Sequence, residues 1–276
     1  MKKVLSIVIV IALVVVFCVS AFMVGKYFVN SKQSSNKYDE LAEMVEKPRT
    51  EPSETTPVET TLAADTPDPT EETLEKEPAP KPQHHDVLPE YQDVYVRNGD
   101  MVGWIKIEGT KVNYPVMQTK ERPNYYLKRD FDGNASDWGS LYVREECDVN
   151  KPSDNVTIYG HNMVDCSMFG DLKNYGNKQF WEEHKQIYFD TLREYHVYEI
   201  FSVFKTSANE GEGFAYHQME DAADENEFNN FVATCKKLSF YDTGITPQYG
   251  DKLICLSTCE YSLDNGRLVI AARRIF

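Results

Sequence analysis

The chain has 276 residues and a formal net charge of −15, and its acidic residues are concentrated in one segment. Fifteen Asp and Glu residues stand against four Lys and Arg residues between positions 38 and 90, so we expect no nucleic-acid partner. The six cysteines include no CxxC pair and no Cys/His cluster with zinc spacing, so we expect no metal and no cofactor.

The first element in chain order is an uncharged stretch at residues 4–25. At about 1.5 Å per residue, its 22 positions are long enough to cross a hydrocarbon core of roughly 30 Å as a helix. Lys2 and Lys3 precede it, which predicts a cytoplasmic tip at residues 1–3 and everything after the span outside. A cleaved signal peptide is the alternative, but its apolar region usually covers only about 7–15 residues.

Residues 26–88 form an acidic segment rich in Pro, Thr and Glu. Nine of the thirteen prolines fall between Pro48 and Pro89, and few aromatic residues accompany them. Such a segment cannot bury enough apolar surface to offset its ordering entropy. The composition predicts an extended stalk, with one short helix at residues 38–47 before it.

A folded domain is predicted over residues 89–276. Eight short β-rich runs occur between turn signals, at residues 102–107, 113–117, 139–143, 155–160, 187–190, 194–205, 252–259 and 267–275. Helical segments are predicted near 167–184 and 222–239. The second has an apolar face formed by Phe228, Phe231, Val232, Cys235 and Leu238. This pattern predicts a mostly β domain with helices (α+β), built as a barrel or a sandwich.

The last predicted hairpin brings a thiol close to a cation. Alternation along residues 255–259 places Cys255, Ser257 and Cys259 on one face of the strand. If the chain returns through the turn at residues 260–266, Arg267 comes close to Cys259. A fixed cation beside a thiol lowers the pKa of the thiol and can stabilise an oxyanion. The alternative is a structural Cys near a solvated Arg.

A histidine follows a second apolar strand. The run Tyr159-Gly160-His161-Asn162-Met163 places the imidazole of His161 at the mouth of a strand rather than in a core. A lone histidine is usually structural. A His and a Cys at two strand mouths, with an Arg beside the Cys, form the arrangement that nucleophilic catalysis needs.

These motifs together resemble the signatures of the sortase family. They are YGHNM followed by SMFGDL, and LSTCEY with an Arg eight residues beyond the Cys; the His-to-Cys gap is 98 residues. The segments VGWIKIEGTKVNYPVMQ and YYLKRDFDG, and the long helix-containing insertion before the last hairpin, resemble class B sortases in particular. The likeness covers about residues 90–276 and implies an eight-stranded sortase barrel preceded by a helix.

The resemblance implies a role for each matching residue. Cys259 would be the nucleophile, His161 the general acid/base, and Arg267 the residue that stabilises the oxyanion or positions the substrate carbonyl. Arg273 and Arg274 fit the position of the family Arg less well. Leu127 matches a family groove residue. Substrate-binding positions are completed by Ser257, Thr258 and Tyr159. The stretch at residues 206–216 departs from the class B pattern.

The resemblance also implies a cell-surface cysteine transpeptidase of a Gram-positive organism. It would cleave a C-terminal sorting signal after Thr through a thioacyl enzyme and transfer the protein to a peptidoglycan amine. Its partners would be proteins with such signals, a peptidoglycan precursor or cross-bridge, and the membrane. Two alternatives stay open, a secreted cysteine hydrolase and a non-enzymatic stalked binding module. His184, His196 and His217 are expected to be structural or surface residues, and Asp130, Asp132 and Asp137 lack the EF-hand pattern.

Overall fold

A computed structural model describes residues 2–46, 86–209 and 211–276. The predicted stalk at residues 47–85 lies outside the described residues. Eight strands form a closed barrel, which confirms the predicted fold class. The strands are β1 (Met101–Lys106), β2 (Asn113–Met117), β3 (Leu141–Val143), β4 (Asn155–Tyr159), β5 (Gln186–Thr191), β6 (Val197–Ser207), β7 (Leu253–Glu260) and β8 (Gly266–Arg274).

The order of the strands around the barrel is β1-β2-β3-β4-β7-β8-β6-β5, and pairing of β5 with β1 closes it. Two neighbouring pairs, β2 with β3 and β4 with β7, run parallel, and the other pairs are antiparallel. The parallel β4–β7 pair joins segments that are far apart in the sequence. It therefore brings the segment containing His161 next to the segment containing Cys259.

The helices are α1 (Lys2–Val45), α2 (Gln92–Arg97), α3 (Lys178–Glu183) and α4 (Glu225–Leu238). Short 3-10 helices cover Pro89–Tyr91, Tyr125–Lys128, Gly170–Gly176 and Tyr216–Gln218. The helix predicted near 167–184 is thus divided into the third 3-10 helix and α3. Asn177 separates the two, with an extended backbone and a side chain that accepts a hydrogen bond from the Gln179 N–H.

Helix α4 begins with a reciprocal cap. The Asp224 side chain accepts from the Glu227 N–H at 2.9 Å, and the Glu227 carboxylate accepts from the Ala223 N–H at 2.7 Å. The predicted apolar face is buried at Phe228, Phe231, Val232 and Cys235. Leu238 was predicted on the same face but is 38% exposed, because it is the last residue of the helix.

The apolar residues form two clusters on opposite sides of the barrel wall. Side chains that point inward, such as Ile158, Leu256 and Ile270, fill the barrel. Outward-pointing Cys255 and Val269 pack instead beneath α4. Alternation along β7 therefore places one side chain in the barrel and the next in the outer cluster. Cys259 lies two positions after Ser257 on the outward face.

Helix α1 does not end with the apolar stretch but continues without a break to Val45 and packs on the barrel. Residues 26–37, predicted as the start of the stalk, are therefore helical, and the short helix predicted at 38–47 is the end of α1 as far as Val45. The Tyr38 hydroxyl donates to the Gly139 carbonyl at 2.8 Å, and Leu41 is fully buried. The spacing of three residues between Tyr38 and Leu41 places both on the face of α1 that contacts the barrel.

An ion-pair cluster reinforces the contact between α1 and the barrel. Lys37 lies 2.5 Å from Asp130 and 2.8 Å from Asp132, and Arg97 donates to Asp132 at 2.8 Å. The hydrogen bond from Arg97, with a further contribution from Lys37, holds the pKa of the Asp132 carboxyl below its usual range despite partial burial. Asp130 and Asp132 thus bind cations of the protein itself, and so does Asp137, which lies 3.6 Å from Lys128.

Candidate active site

The three residues predicted for catalysis lie on β7, on β8 and just beyond the end of β4. Cys259 on β7 is the direct cross-strand partner of Arg267 on β8, as the predicted hairpin requires. On the other side of β7, the parallel register pairs Tyr159 with Ser257. Two further steps along that register bring His161 level with Cys259. Neighbouring strands lie about 4.8 Å apart, so the backbones of His161 and Arg267 flank that of Cys259, whose side chain is half-buried.

Hydrogen bonds continue the register beyond the end of β4. The Gly160 N–H donates to the Ser257 carbonyl at 3.1 Å, and the Thr258 hydroxyl donates to the Gly160 carbonyl at 2.8 Å. The Asn162 side-chain amide then donates to the Cys259 carbonyl at 2.9 Å. These bonds hold the backbone on both sides of His161 against the end of β7. The relative position of the histidine and the thiol is therefore set by backbone pairing.

The His161 imidazole makes one short hydrogen bond. Its Nε2 lies 2.6 Å from the carbonyl oxygen of Leu127. Because a carbonyl oxygen only accepts, Nε2 carries the hydrogen, and Nδ1 of the neutral ring has the free lone pair. Burial lowers the pKa of His161, more than the Leu127 carbonyl raises it. The lowered pKa favours the neutral imidazole, in which Nδ1 is the nitrogen available to take a proton.

The Leu127 carbonyl is held by a close approach of Gly139. Gly139 has a φ of +60°, and a Cβ atom built there would lie 2.6 Å from the Leu127 oxygen and 2.9 Å from the Tyr126 oxygen. Its own carbonyl accepts from Tyr38 of α1, as described above. The next residue also fixes this turn, since the Ser140 N–H donates to the Tyr126 carbonyl at 3.0 Å. The chain at 126–127 is thus positioned by a glycine that tolerates no side chain.

The predicted substrate-binding residues differ in exposure. Ser257 and Thr258 are almost completely buried, and the Ser257 hydroxyl lies 2.5 Å from that of Tyr216. Tyr159 is half-buried beside Tyr142, at 5.4 Å between ring centroids. Leu127 is 38% exposed and therefore offers the most surface of the four to a ligand. The two hydroxyl residues shape the end of β7 from within the protein.

Arg267 is held by the turn that precedes it. Its Nη1 donates to the carbonyl oxygens of Asn265 and Gly266 at 3.2 and 2.9 Å. Within residues 2–46, 86–209 and 211–276, no carboxylate forms an ion pair with Arg267. By contrast, Arg273 pairs with Glu199 and Asp251, and Arg274 contacts His196. Arg267 is therefore the arginine whose position and remaining charge suit an anionic ligand at Cys259.

A cavity of about 350 Å³ opens beside Cys259. Its lining consists of Asn162, Lys173, Gly176, Lys205, Phe240, Cys259, Glu260, Tyr261 and Leu268. Sequence reasoning singled out only Cys259 among these. Asn162 lies inside the YGHNM motif and its amide could have been considered, whereas Lys173, Lys205 and Phe240 occupy separate segments that only barrel closure brings together. Larger cavities of about 810 and 440 Å³ lie between α1 and the barrel.

Comparison with known proteins shows the family of this chain. The sequence model of the sortase domain matches residues 105–275. The chain belongs to the sortase family. It is 32% identical to sortase B of Staphylococcus aureus over 197 residues, covering 71% of this chain and 78% of the relative. It is 34% identical to sortase B of Listeria monocytogenes over 194 residues, covering 69% of this chain and 76% of the relative.

Solved sortase structures share the fold. The substrate complex of sortase B from Staphylococcus aureus superposes with a TM-score of 0.71 and 26% identity, covering 90% of this chain and 98% of that one. Sortase B from Bacillus anthracis in complex with AAEK1 superposes with a TM-score of 0.68 and 28% identity, again covering 90% of this chain and 98% of that one. The predicted resemblance to class B sortases is confirmed. This sortase is accordingly a cysteine transpeptidase of the class that acts on proteins bearing sorting signals.

Proposed function

We propose that this sortase is a single-pass membrane protein that cleaves C-terminal sorting signals after Thr and transfers the protein to a peptidoglycan amine. The observation that supports the chemistry best is the register that brings Cys259 on β7 level with Arg267 on β8 and with His161, two residues beyond the end of β4. Thiol attack, proton transfer and oxyanion stabilisation each need one of these residues. Backbone pairing orients all three before a substrate arrives.

The first half-reaction begins with proton transfer. As the Cys259 thiol gives its proton to Nδ1 of His161, the sulfur attacks the carbonyl carbon of the Thr residue in the signal. Negative charge develops on the carbonyl oxygen, and the Arg267 guanidinium stabilises it. The C–N bond then breaks, and Nδ1 returns the proton to the departing amine. A thioester between Cys259 and the cleaved protein remains.

The second half-reaction reverses the roles. An amine of a peptidoglycan precursor or cross-bridge attacks the thioester, and Nδ1 of His161 takes a proton from it. When the C–S bond breaks, the proton returns to the Cys259 sulfur. Throughout, the Leu127 carbonyl keeps the hydrogen on Nε2, so that both transfers use the same ring nitrogen. We propose that the exposed side chain of Leu127 contacts the sorting motif.

The N-terminal helix supports the proposed location. Within the described part of the chain, one helix is long and apolar enough to span a membrane. We propose that residues 4–25 cross it, with residues 1–3 in the cytoplasm and the barrel on the outer surface of a Gram-positive cell. Lys2 and Lys3 favour this orientation.

Product analysis with the full-length protein in detergent micelles tests the proposed reaction. Quenched peptides built on NPQTN, LPXTG and SPXTG cores would be incubated with triglycine as the acceptor, and the products identified by mass spectrometry. We expect cleavage after Thr and a triglycine-linked product, both lost in Cys259→Ala. A substrate–enzyme thioester trapped in the absence of triglycine would support the intermediate.

The alternative reactions give different products in the same experiment. A water-derived acid as the sole product, at any triglycine concentration, would favour the hydrolase. Absence of cleavage, together with equal alkylation rates of Cys259 and Cys166, would favour a binding module. Cys166 is a suitable reference because it is also a half-buried free thiol.

A further inference from the structure

The contacts of α1 with the barrel begin almost where its apolar stretch ends. Gly25 closes that stretch, and the ring of Tyr27 already lies 5.5 Å from the ring of Trp138. One turn later, the Ser31 hydroxyl donates to the Asp165 carboxylate at 2.6 Å. Because α1 is continuous, these contacts fix how far the barrel stands from the apolar stretch.

The rise of a helix converts the contacts into distances. At about 1.5 Å per residue, Tyr27 lies roughly 3 Å beyond Gly25 and Ser31 roughly 9 Å beyond it. The headgroup layer on each side of a bilayer is roughly 5–8 Å thick. Two barrel loops reach this level, residues 134–138 around Trp138 and residues 162–168 around Asp165. Residues 47–85 come later in the chain than α1 and do not set this distance.

The chemistry of the two loops suits a lipid surface. Val164, within loop 162–168, is 86% exposed. Exposed lysines line the cavities beside the two loops, although the chain is acidic overall. Lys26 and Lys128 line one cavity between α1 and the barrel, and Lys111 lines the other. Lysines at this level attract anionic headgroups, and an exposed apolar side chain inserts between them.

The adjacent carboxylates are already engaged by the protein. Asp165 accepts hydrogen bonds from Ser31 and Ser167, which hold its pKa below the usual range despite burial. Asp137 lies 3.6 Å from Lys128. The exposed Lys26, Lys111 and Lys128 outnumber these two carboxylates by one.

We propose that loops 134–138 and 162–168 form a membrane face that rests on the anionic headgroups of the bilayer in which α1 is anchored. The inference rests on the proposed anchoring. Loop 162–168 begins one residue after His161, and its Asn162 binds the Cys259 carbonyl. The active site thus opens beside the lipid surface, and the barrel stands on the membrane rather than at the end of a stalk.

Depth measurements on the full-length protein in vesicles test the proposal. A fluorescent NBD label would be placed at Lys26→Cys, Val164→Cys or Val96→Cys. The background would be Cys18→Ala, Cys166→Ala, Cys259→Ala, which leaves the three buried cysteines Cys147, Cys235 and Cys255. Vesicles would contain phosphatidylcholine and phosphatidylglycerol with a nitroxide on a fraction of the headgroups.

Val96 is the matched control, because it is also an exposed valine. It lies on α2, next to Arg97, which donates to Glu40 of α1 at 2.9 Å. At the rise of a helix, Glu40 lies roughly 22 Å beyond Gly25. We expect strong quenching at positions 26 and 164, with that at 164 at least threefold greater than that at 96. Quenching at 26 with none at 164 would overturn the membrane face alone. Absence of quenching at 26 would overturn both the anchoring and the face.

Discussion

Replacing Gly139 with alanine tests whether the Leu127 carbonyl orients His161. The new Cβ atom would meet the Leu127 oxygen at 2.6 Å, and real Cβ atoms essentially never approach that closely. Both neighbouring oxygens belong to the backbone, so the backbone at residues 126–127 has to shift. That shift would lengthen the 2.6 Å hydrogen bond from His161.

The expected loss follows from the bond that is weakened. A hydrogen bond contributes about 0.5–1.5 kcal/mol net, which corresponds to a decrease in kcat/KM of roughly 2- to 12-fold if the bond is needed in the transition state. The Leu127 carbonyl raises the pKa of His161 against the effect of burial. Its displacement should lower that pKa further, so that the acidic limb of the kcat/KM profile moves to lower pH.

Gly133→Ala is the matched control. Gly133 has a φ of +79°, so alanine there suffers a similar backbone penalty of about 1–2 kcal/mol, but its Cβ would meet only the Tyr125 hydroxyl, at 3.4 Å. Both variants should unfold at lower temperature than the wild type. Kinetics would be measured from pH 5 to 9, and the imidazole tautomer by ¹⁵N NMR of histidine-labelled protein. Wild-type kcat/KM, an unchanged pH profile and an unchanged tautomer in Gly139→Ala would refute the proposed role of Leu127.

Three further outcomes are expected. Arg267→Gln should reduce kcat by roughly 10²-fold with little change in KM, because it removes a donor needed mainly when the oxyanion forms; an equal effect on KM alone would assign Arg267 to ground-state binding. Tyr216→Phe should lower the free energy of unfolding by about 1–3 kcal/mol in a denaturant titration, because it leaves the buried Ser257 hydroxyl without its 2.5 Å partner, and unchanged stability would contradict this. Asp132 stabilises the folded state above the carboxyl pKa of the unfolded chain, and the contribution is lost as the pH falls through its lowered folded-state pKa. The difference in melting temperature between wild type and Asp132→Asn should therefore be largest near pH 6 and shrink below pH 4, and a constant difference would show that Asp132 acts without its charge.

The strands and the catalytic hairpin were accessible from the sequence because both depend on local periodicity. Alternation along residues 255–259 and the turn before Arg267 were enough to predict that Cys259 and Arg267 face each other, and the register confirms the pairing. The position of His161 beside Cys259 could not be predicted from local periodicity. It depends on a parallel strand pair whose members are nearly a hundred residues apart, and only the family resemblance supplied it.

Backbone groups and tertiary contacts left no comparable signal. The Leu127 carbonyl has no signature in the sequence, although Leu127 itself was expected to face the substrate. Tyr216 lies in the stretch at 206–216 where the class B pattern is lost. In α1, Tyr38 and Leu41 have helical spacing, but lysines and serines interrupt the apolar pattern around them. For this reason nothing in the sequence indicated that the end of α1 packs on the barrel, and the segment was predicted to belong to the stalk.

The strand order also determines when the chemistry can first appear. His161 and Cys259 come from parallel neighbours, and Arg267 from the strand that completes the same part of the wall. Contacts between residues so distant in sequence form late, since the entropy of closing a long loop must be offset before they contribute. Before β4 pairs with β7, Cys259 has no histidine beside it. Arg267 can pair with Cys259 earlier, because the β7–β8 hairpin is local, so the histidine is the last of the three residues to arrive.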